Sequence, residues 1–497
     1  MLAVNEISGS LKYVKLTQYF KNCVSFFIMK INNPPELSQI FQHQFENEIN
    51  ILLGQVITQI LQHQADEPFT LNDDTELNKF VEYCFELLFE NQATDDKGCY
   101  LYWDKIKHKY GKNAEKIWLA TKIKRTIIRR TIHLTEQYEF HYCVPDTMQA
   151  LLHFIDKTSS HYNIQLINQK DKHILSMEEA ITSAQMEGAA TTRKIAKELI
   201  TRRPNKPKND YEKMVINNYH LMKKVIELKD EKLSIDLILD LHRTATHDVI
   251  ENNAISGEFR QSDDFAIYDG ENNLLHQPPP HEDVAELMDA LCEFANAEHD
   301  GFRQPDFIHP IVKAIILHFL IGYIHPFGDG NGRTARALFY WFMLKNGYAL
   351  FEFVSISRLL LQASTGYGKS YVYTERDELD MTYFIYFQLD KIKQAIDDFE
   401  KYVERENRQR QDFTAQILHF IQQHDLDERQ IEILKMAVHE KGRIFSAKEL
   451  ATQFKISENT ARKLLKELAD LNLLAPLKSG NAVLFVAPAD LVARLQK

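Results

Sequence analysis

His325-Pro326-Phe327-Gly328-Asp329-Gly330-Asn331-Gly332-Arg333-Thr334-Ala335-Arg336 is the stretch on which the reading of this chain turns. It lies between an apolar helical run at 311–323 and a second at 337–346, ALFYWFMLKN. A loop of three glycines that opens a helix offers free backbone N–H groups at the positive end of a helix dipole, and such a loop binds phosphate oxygens. Arg333 and Arg336, three apart in the first helical turn, add positive charge on one face. Asp329 supplies a hard oxygen, suited to Mg²⁺ held by one carboxylate plus phosphates. His325 stands at the mouth, where a neutral imidazole can take a proton from a hydroxyl nucleophile. The plainer alternative is a helix–loop–helix connection with a surface histidine. It is disfavoured because a base, a carboxylate, three glycines, an amide and two guanidinium groups share so short a segment. The segment lacks the lysine of a P-loop.

HPFGDGNGRTAR resembles the HxFx[DE]GNGRxxR signature of the Fic family at every fixed position. The resemblance implies a helical core and transfer of AMP from ATP to a Ser, Thr or Tyr hydroxyl of a target protein. It implies His325 as general base, Phe327 as the core anchor of the loop and Asp329 as the Mg²⁺ ligand. Asn331 and the amides around Gly330 and Gly332 would form the anion hole, with Gly328 and Thr334 in the same phosphate-binding segment. Arg333 would hold the α- and β-phosphates and Arg336 the γ-phosphate. In-line attack at phosphorus needs positioning and charge neutralisation more than covalent chemistry, so the physical reading agrees.

The likeness extends over roughly 100–400. Gly257-Glu258-Phe259-Arg260, followed by Phe265-Ala266-Ile267-Tyr268 and Pro278-Pro279-Pro280, is similar to the family's flap, which would pair with a strand of the target. An ordinary short strand is the alternative. Ile356-Ser357-Arg358 and Ser370–Glu375 resemble the segment covering the adenine, with Tyr371 the single expected contact and core packing its alternative; Gly366-Tyr367-Gly368 reads as an insertion there. Ser183-Ala184-Gln185-Met186-Glu187-Gly188 resembles the [ST]xxxE[GN] motif of an N-terminal inhibitory helix. Ser183 and Glu187 share a helical face at i and i+4. Alone, that motif would be a surface glutamate at a helix end. Ser176 and Glu179 read as a capping box opening this helix.

Bulk properties set the frame. A chain of 497 residues exceeds one compact core, so two to four domains are expected. A net charge of −11 argues against a wholly nucleic-acid- or membrane-binding surface but not against one basic module. The five cysteines are scattered, without a CxxC pair, which suits reduced thiols and offers no zinc site. This points to the cytoplasm of a bacterial cell, with delivery into a host cell left open. No segment reaches the ~18 apolar residues of a membrane span. Met29 opens MKINNPPEL, so residues 1–28 are expected to be a disordered extension.

Helical periodicity dominates, with expected helices at 36–63, 75–91, 115–132, 210–228 and 234–250, and a proline-broken linker at 202–208. From Arg429 the composition changes: residues 429–497 hold 12 Lys+Arg and 7 Asp+Glu, net +5 against −16 for the rest. A helix at 430–440, a capping box at Ser446 opening helix 447–454, a turn at 454–457, helix 458–470 capped by Ser457 and two alternating strands read as a winged helix–turn–helix. Ala461, Leu464, Leu465 and Leu468 form its core stripe, leaving Asn459, Thr460, Arg462, Lys463 and Lys466 for DNA. Protein contact or dimerisation is the alternative use.

The expected fold is therefore mainly α: a helical core with a small β-hairpin flap, plus the C-terminal winged helix. The expected division is an N-terminal helical region at 29–170, a catalytic domain at 171–405 with the inhibitory helix at 177–188, a linker helix at 406–428 and the module at 429–497. ATP is the expected substrate and Mg²⁺ the expected cofactor. The expected partners are a target protein bearing a hydroxyl, DNA at the winged helix and a second copy in a homodimer, with no membrane. Removal of AMP, with Glu187 orienting water and His325 as acid, stays open as a second chemistry. So does a nucleotide-sensing DNA-binding regulator, although a pure sensor has no need of His325.

Overall fold

A computed structural model describes residues 101–497 and Thr94, apart from 163–166, 168, 202–206, 251–253, 269–273, 304–305, 425, 440–441, 480–481 and 496–497. The extension 1–28, the helices expected at 36–63 and 75–91, and most of the 202–208 linker lie outside the described residues. The chain divides into two compact units, Met1–Asp397 and Asp398–Lys497.

The first unit is helical. In chain order it holds α1 (Trp103–Tyr110), α2 (Ala114–Ile128), β1 (Arg130–His133), β2 (Glu139–Tyr142), α3 (Asp146–His161), α4 (Gln169–Met186), α5 (Arg193–Thr201), α6 (Asp210–Glu227) and α7 (Ile235–Thr246). There follow β3 (Ile267–Tyr268), β4 (Leu274–His276), α8 (Val284–Asn296), α9 (Pro310–Ile324), α10 (Asn331–Lys345), α11 (Ser357–Gln362) and α12 (Ser364–Arg376), and then α13 (Thr382–His424), which runs on past Asp397 into the second unit. A helix that is apolar all round must be covered on all sides. PIVKAIILHFLIGYI is such a sequence, and α9 is buried along nearly its whole length, as is α10. The two pack on each other, and α6 and α7 pack against α10, with α8 against α9. The site loop is the connection between the two most buried helices, so its ends have little freedom.

Local chemistry sets the boundaries. Asn209 caps α6 by accepting from Glu212 N, and Ser234 caps α7 by accepting from Leu237 N. Pro310 occupies the first turn of α9, where its missing N–H is harmless. The run expected as a helix at 115–132 stops at Ile128, and Arg130–His133 turns back as a strand paired with Glu139–Tyr142. Phe140 from that hairpin packs edge-on to Tyr323 of α9 at 5.1 Å. Helix α4 begins at Gln169, not 177, so Ser176 is a mid-helix residue whose hydroxyl donates to His173 O. The Ser176–Glu179 capping box is thereby corrected. The strand expected at 265–268 shrinks to Ile267–Tyr268. The expected linker helix 406–428 is the end of the 43-residue α13, which holds neither Gly nor Pro to break it at 405.

The second unit follows from α14 (Glu428–His439), β5 (Ile444–Phe445), α15 (Ala447–Phe454), α16 (Glu458–Asp470), β6 (Ala475–Ser479), β7 (Ala482–Val486) and α17 (Leu491–Arg494). Ser446 Oγ accepts from Glu449 N and Ser457 Oγ from Thr460 N, each at 3.1 Å, while Lys455 takes the left-handed conformation between α15 and α16. The strands form a sheet in the order β5-β7-β6. Ala461, Leu464, Leu465 and Leu468 are buried with Ile433, Leu434, Leu450 and Phe485 in one core.

Leu465 is fully buried in that core. Leu465→Ala should destabilise the second unit by about 2–5 kcal/mol, read from urea unfolding of the full chain. A loss under about 1 kcal/mol would contradict this packing.

Candidate functional site

The loop begins where α9 stops. His325 caps α9 in the left-handed conformation, φ 50°, with its N–H on Ile321 O at 3.0 Å. A non-glycine residue there is strained and is held only when its surroundings over-determine it. Several contacts do so. Phe327 is buried, its ring stacked on His242 of α7 with centroids 3.7 Å apart. Asn331 staples the loop: its side chain accepts from Phe327 N at 2.9 Å and donates to Phe327 O at 2.7 Å. Gly330, at φ 83°, precedes α10, and a Cβ there would stand 2.7 Å from Thr246 Cγ2, so only glycine fits. Thr334 returns its hydroxyl to Gly330 O at 3.0 Å.

Asp329 and Arg333 pair with each other at 3.0 Å, and Arg333 also donates to Ala245 O at 2.9 Å. Asp329 Oδ1 accepts from Gly330 N at 2.7 Å. Arg333 is wholly buried. One expectation changes accordingly: the arginines do not share a face, Arg333 turning to α7 and Arg336 to α4. The Asn331 carboxamide is bonded to the Phe327 backbone. The i, i+4 spacing of Asp329 and Arg333 was the available signal for their pairing.

Arg336 is buried at 2% exposure. Its Nε donates to Ser183 Oγ at 3.0 Å and its Nη2 to Glu187 Oε1 at 2.7 Å. Burial works against the guanidinium charge, but Glu187 outweighs it and the pKa is raised. Glu187 reaches this place because α4 ends there. Gly188, at φ 91°, takes the left-handed position, with Gly188 N on Gln185 O at 3.1 Å and Ala189 N on Ala184 O at 3.0 Å. These are the paired bonds of a Schellman stop. The carboxylate lies against Gly332, in the first turn of α10, where a helix favours an anion.

Three elements close the mouth. Arg260 donates from Nε to His325 O at 3.0 Å and from its backbone N–H to Pro326 O at 2.9 Å. Its Nη2 also donates to Pro279 O. Phe265 stands over Gly328, which has no room for a Cβ. His276 of β4 lies between Glu375 Oε2 and Tyr323 O, each at 2.8 Å. Phe265, Ala266 and Ile267 face Glu187, His325 and residues 328–332 across a cleft of about 80 Å³. Drug-sized ligand pockets are several-fold larger, about 300–1,000 Å³. Tyr268 is exposed and does not line the cleft.

The His325 pKa is lowered to about 4, by burial first and then by His276, against the upward pulls of the Gly322 carbonyl and Glu187. The imidazole is therefore neutral and proton-accepting at pH 7. Its Nδ1 is buried without a hydrogen-bond partner among the described residues. Asp329 lines the same cleft, its Oδ1 accepting from Gly330 N and its Oδ2 paired with Arg333. A single hard-oxygen side chain beside backbone amides fits Mg²⁺ held mainly by phosphates. Among the described residues no group of three acidic, His or Cys side chains offers a fuller metal cage.

Tyr371 does not join the site. It packs on Phe319 at 5.1 Å and Phe384 at 4.5 Å, under α9. Gly366-Tyr367-Gly368 is part of the regular helix α12. Ser357 lies in the same region but serves Glu179. That buried carboxylate accepts from Tyr340 Oη and Ser355 Oγ at 2.8 Å, from Ser357 N at 3.1 Å and from Ser357 Oγ. Glu179, Ser183 and Glu187 thus form an i, i+4, i+8 row facing Tyr340 and Arg336. The four-residue spacing to Ser183 was the signal that could have found Glu179.

Residues 232–343 match the Fic/DOC family. Over 120 residues the chain is 33% identical to a protein adenylyltransferase Fic of Nematostella vectensis, covering 24% of this chain and 25% of that one. Over 122 residues it is 38% identical to a protein adenylyltransferase Fic of Drosophila virilis, covering 24% and 22%. The chain thus spans about a quarter of the length of the curated relatives it matches. Among solved structures, a Fic family protein from Desulfovibrio desulfuricans is similar at TM-score 0.49 and 17% identity, over 70% of this chain and 98% of that one.

NMR titration of the His325 ring should give a pKa near 4, well under the usual 6.5. A midpoint near 6.5 would contradict a ring desolvated at the cleft beside His276 and Arg260.

Proposed function

We propose that this chain, whose residues 232–343 match the Fic/DOC family, transfers AMP from ATP to a Ser, Thr or Tyr hydroxyl of a target protein and is held back by Glu187. The observation that carries the proposal is the single cleft lined by His325, Asp329, the loop glycines and Glu187. In the proposed reaction the target hydroxyl attacks the α-phosphorus and the bond to the β-phosphate oxygen breaks. Pyrophosphate leaves, and the hydroxyl proton passes to the neutral His325 imidazole. The amides at the start of α10 receive phosphate oxygens at the positive end of the helix. Mg²⁺, held through Asp329, would neutralise phosphate charge. The flap segment 265–268 would align the target by main-chain pairing.

Arg336 is the γ-phosphate partner in this scheme, and Glu187 already holds it. A nucleotide entering beside Glu187 must take a tilted pose, and about 1 Å of misplacement costs on the order of 100-fold in rate. The small cleft volume supports the same reading. Because the Glu187 carboxylate borders the same cleft as His325, removal of AMP by a Glu187-oriented water is the second activity to assay.

For residues 428–497, the helix–strand–helix–helix–hairpin order supports a winged helix, and Asn459, Arg462, Lys463 and Lys466 on the outer face of α16 are exposed. These side chains favour duplex DNA as its partner. Duplex affinity should then fall steeply as salt rises, and Arg462→Ala with Lys466→Ala should flatten that slope. Salt-independent binding would instead indicate a protein contact.

Labelled-ATP assays should find the wild type a poor transferase and Glu187→Gly an active one, labelling itself and targets. Adding His325→Ala should cut transfer by ~10²–10⁴-fold while ATP binding persists. Arg336→Ala should not reproduce Glu187→Gly. A Glu187→Gly protein no more active than wild type would contradict the inhibitory role.

A further inference from the structure

We propose that His242 is a positioning residue that sets the Asp329–Gly330 turn, and through it the Asp329 carboxylate, for the Mg²⁺–nucleotide. The proposal rests on the reading of this loop as an ATP site. His242 is completely buried near the end of α7. Its Nδ1 faces Gly257 N at 2.9 Å and its Nε2 faces Asp329 O at 2.8 Å. A backbone N–H can only donate and a carbonyl can only accept. Nδ1 must therefore be bare and Nε2 must carry the proton, which fixes one neutral tautomer by geometry alone.

That tautomer joins three segments. Gly257 opens the run that leads into the flap, Asp329 belongs to the loop, and His242 belongs to the helix beneath both. The ring is also sandwiched by its neighbours: Phe327 stacks on it with planes 3° apart, and a Cβ on Gly330 would meet Nε2 at 3.1 Å. Ala245 and Thr246 extend the same shelf, Ala245 O receiving Arg333 and Thr246 Oγ1 meeting Ser256 Oγ at 2.7 Å.

The consequence for chemistry lies in one peptide plane. The carbonyl of Asp329 and the N–H of Gly330 belong to the same rigid unit. His242 holds the carbonyl, and the N–H on the opposite side holds Asp329 Oδ1 at 2.7 Å. Without the Nε2 donor this plane can rotate, and the carboxylate loses its orientation while no side chain facing the ligand has changed. Groups that orient a metal ligand from behind typically affect metal affinity by about 10–100-fold.

The test uses the full chain with Glu187→Gly. His242→Gln keeps an amide N–H at the reach of Nε2. His242→Asn reaches Gly257 but falls short of Asp329 O. His242→Phe keeps the stacking and removes both hydrogen bonds. ATP binding is measured by calorimetry with and without Mg²⁺. For the Asn and Phe variants, the Mg²⁺ concentration needed for half-maximal tightening of ATP should rise by about 10–100-fold, with metal-free ATP affinity little changed and Gln largely restoring the parent value. In parallel, ¹⁵N NMR of the parent should show the Nε2–H tautomer at His242. An unchanged Mg²⁺ requirement in Asn and Phe, equal losses with and without Mg²⁺, or the Nδ1–H tautomer would each overturn the proposal. If only the Gln variant folds, a 10-fold weaker Mg²⁺ response in it would also overturn it. A parent that binds no ATP in Mg²⁺ would defeat the site reading itself, and the tautomer measurement would still judge His242.

Discussion

A guanidinium group cannot be buried without a partner, and Arg336 is buried at the start of α10. Ser183 and Glu187 supply that partner from α4. Withdrawing the carboxylate from such a pair costs on the order of 3–5 kcal/mol, largely for the uncompensated charge left behind. The same vacancy is what would draw another anion, and the nearest place for one is the glycine-rich loop. In the proposed function, a repressed and a competent site would differ in which anion Arg336 holds.

Helix α4 is held along its length. Glu179 is bound to Tyr340 and to the 355–357 turn, Ser183 to Arg336, and Gly188 ends the helix where the Glu187 side chain turns inward. Tyr340 and Arg336 are themselves four apart on α10, so the two helices meet through matched i, i+4 rows. With Glu179 holding α4 two turns upstream, rotation of the Glu187 side chain or fraying of the last turn is the economical route to release. Departure of the whole helix would expose several satisfied buried polar groups at once.

How much of this was legible in the sequence divides along range. Ser446, Ser457 and the stripe Ala461, Leu464, Leu465 and Leu468 act within a turn or two of themselves, and each does what its spacing dictates. The apolar helices flanking the loop, the glycine positions and Glu187 at a helix end were likewise local signals. What needed the fold was long-range competition for partners. Ser176 and Glu179 have the spacing of a capping box, but α4 starts seven residues earlier and Glu179 is taken by residues more than 150 positions away. Arg333 has the place of a phosphate ligand, and only the fold shows that Asp329 and Ala245 O are also its partners. Tyr371 was placed over the adenine, whereas three aromatic neighbours draw it into the core. His242 carried no motif at all, since a single histidine on an amphipathic helix reads as an ordinary core residue.

If Glu187 and the γ-phosphate compete for Arg336, the selectivity for that phosphate measures it directly. Calorimetry of ATP and ADP against the wild type should give similar affinities, because the third phosphate finds its arginine taken. Against Glu187→Gly, ATP should bind tighter than ADP by on the order of 10-fold, about 1.4 kcal/mol, in keeping with one charge-assisted contact. An ATP-to-ADP ratio that is the same in both proteins would contradict the account.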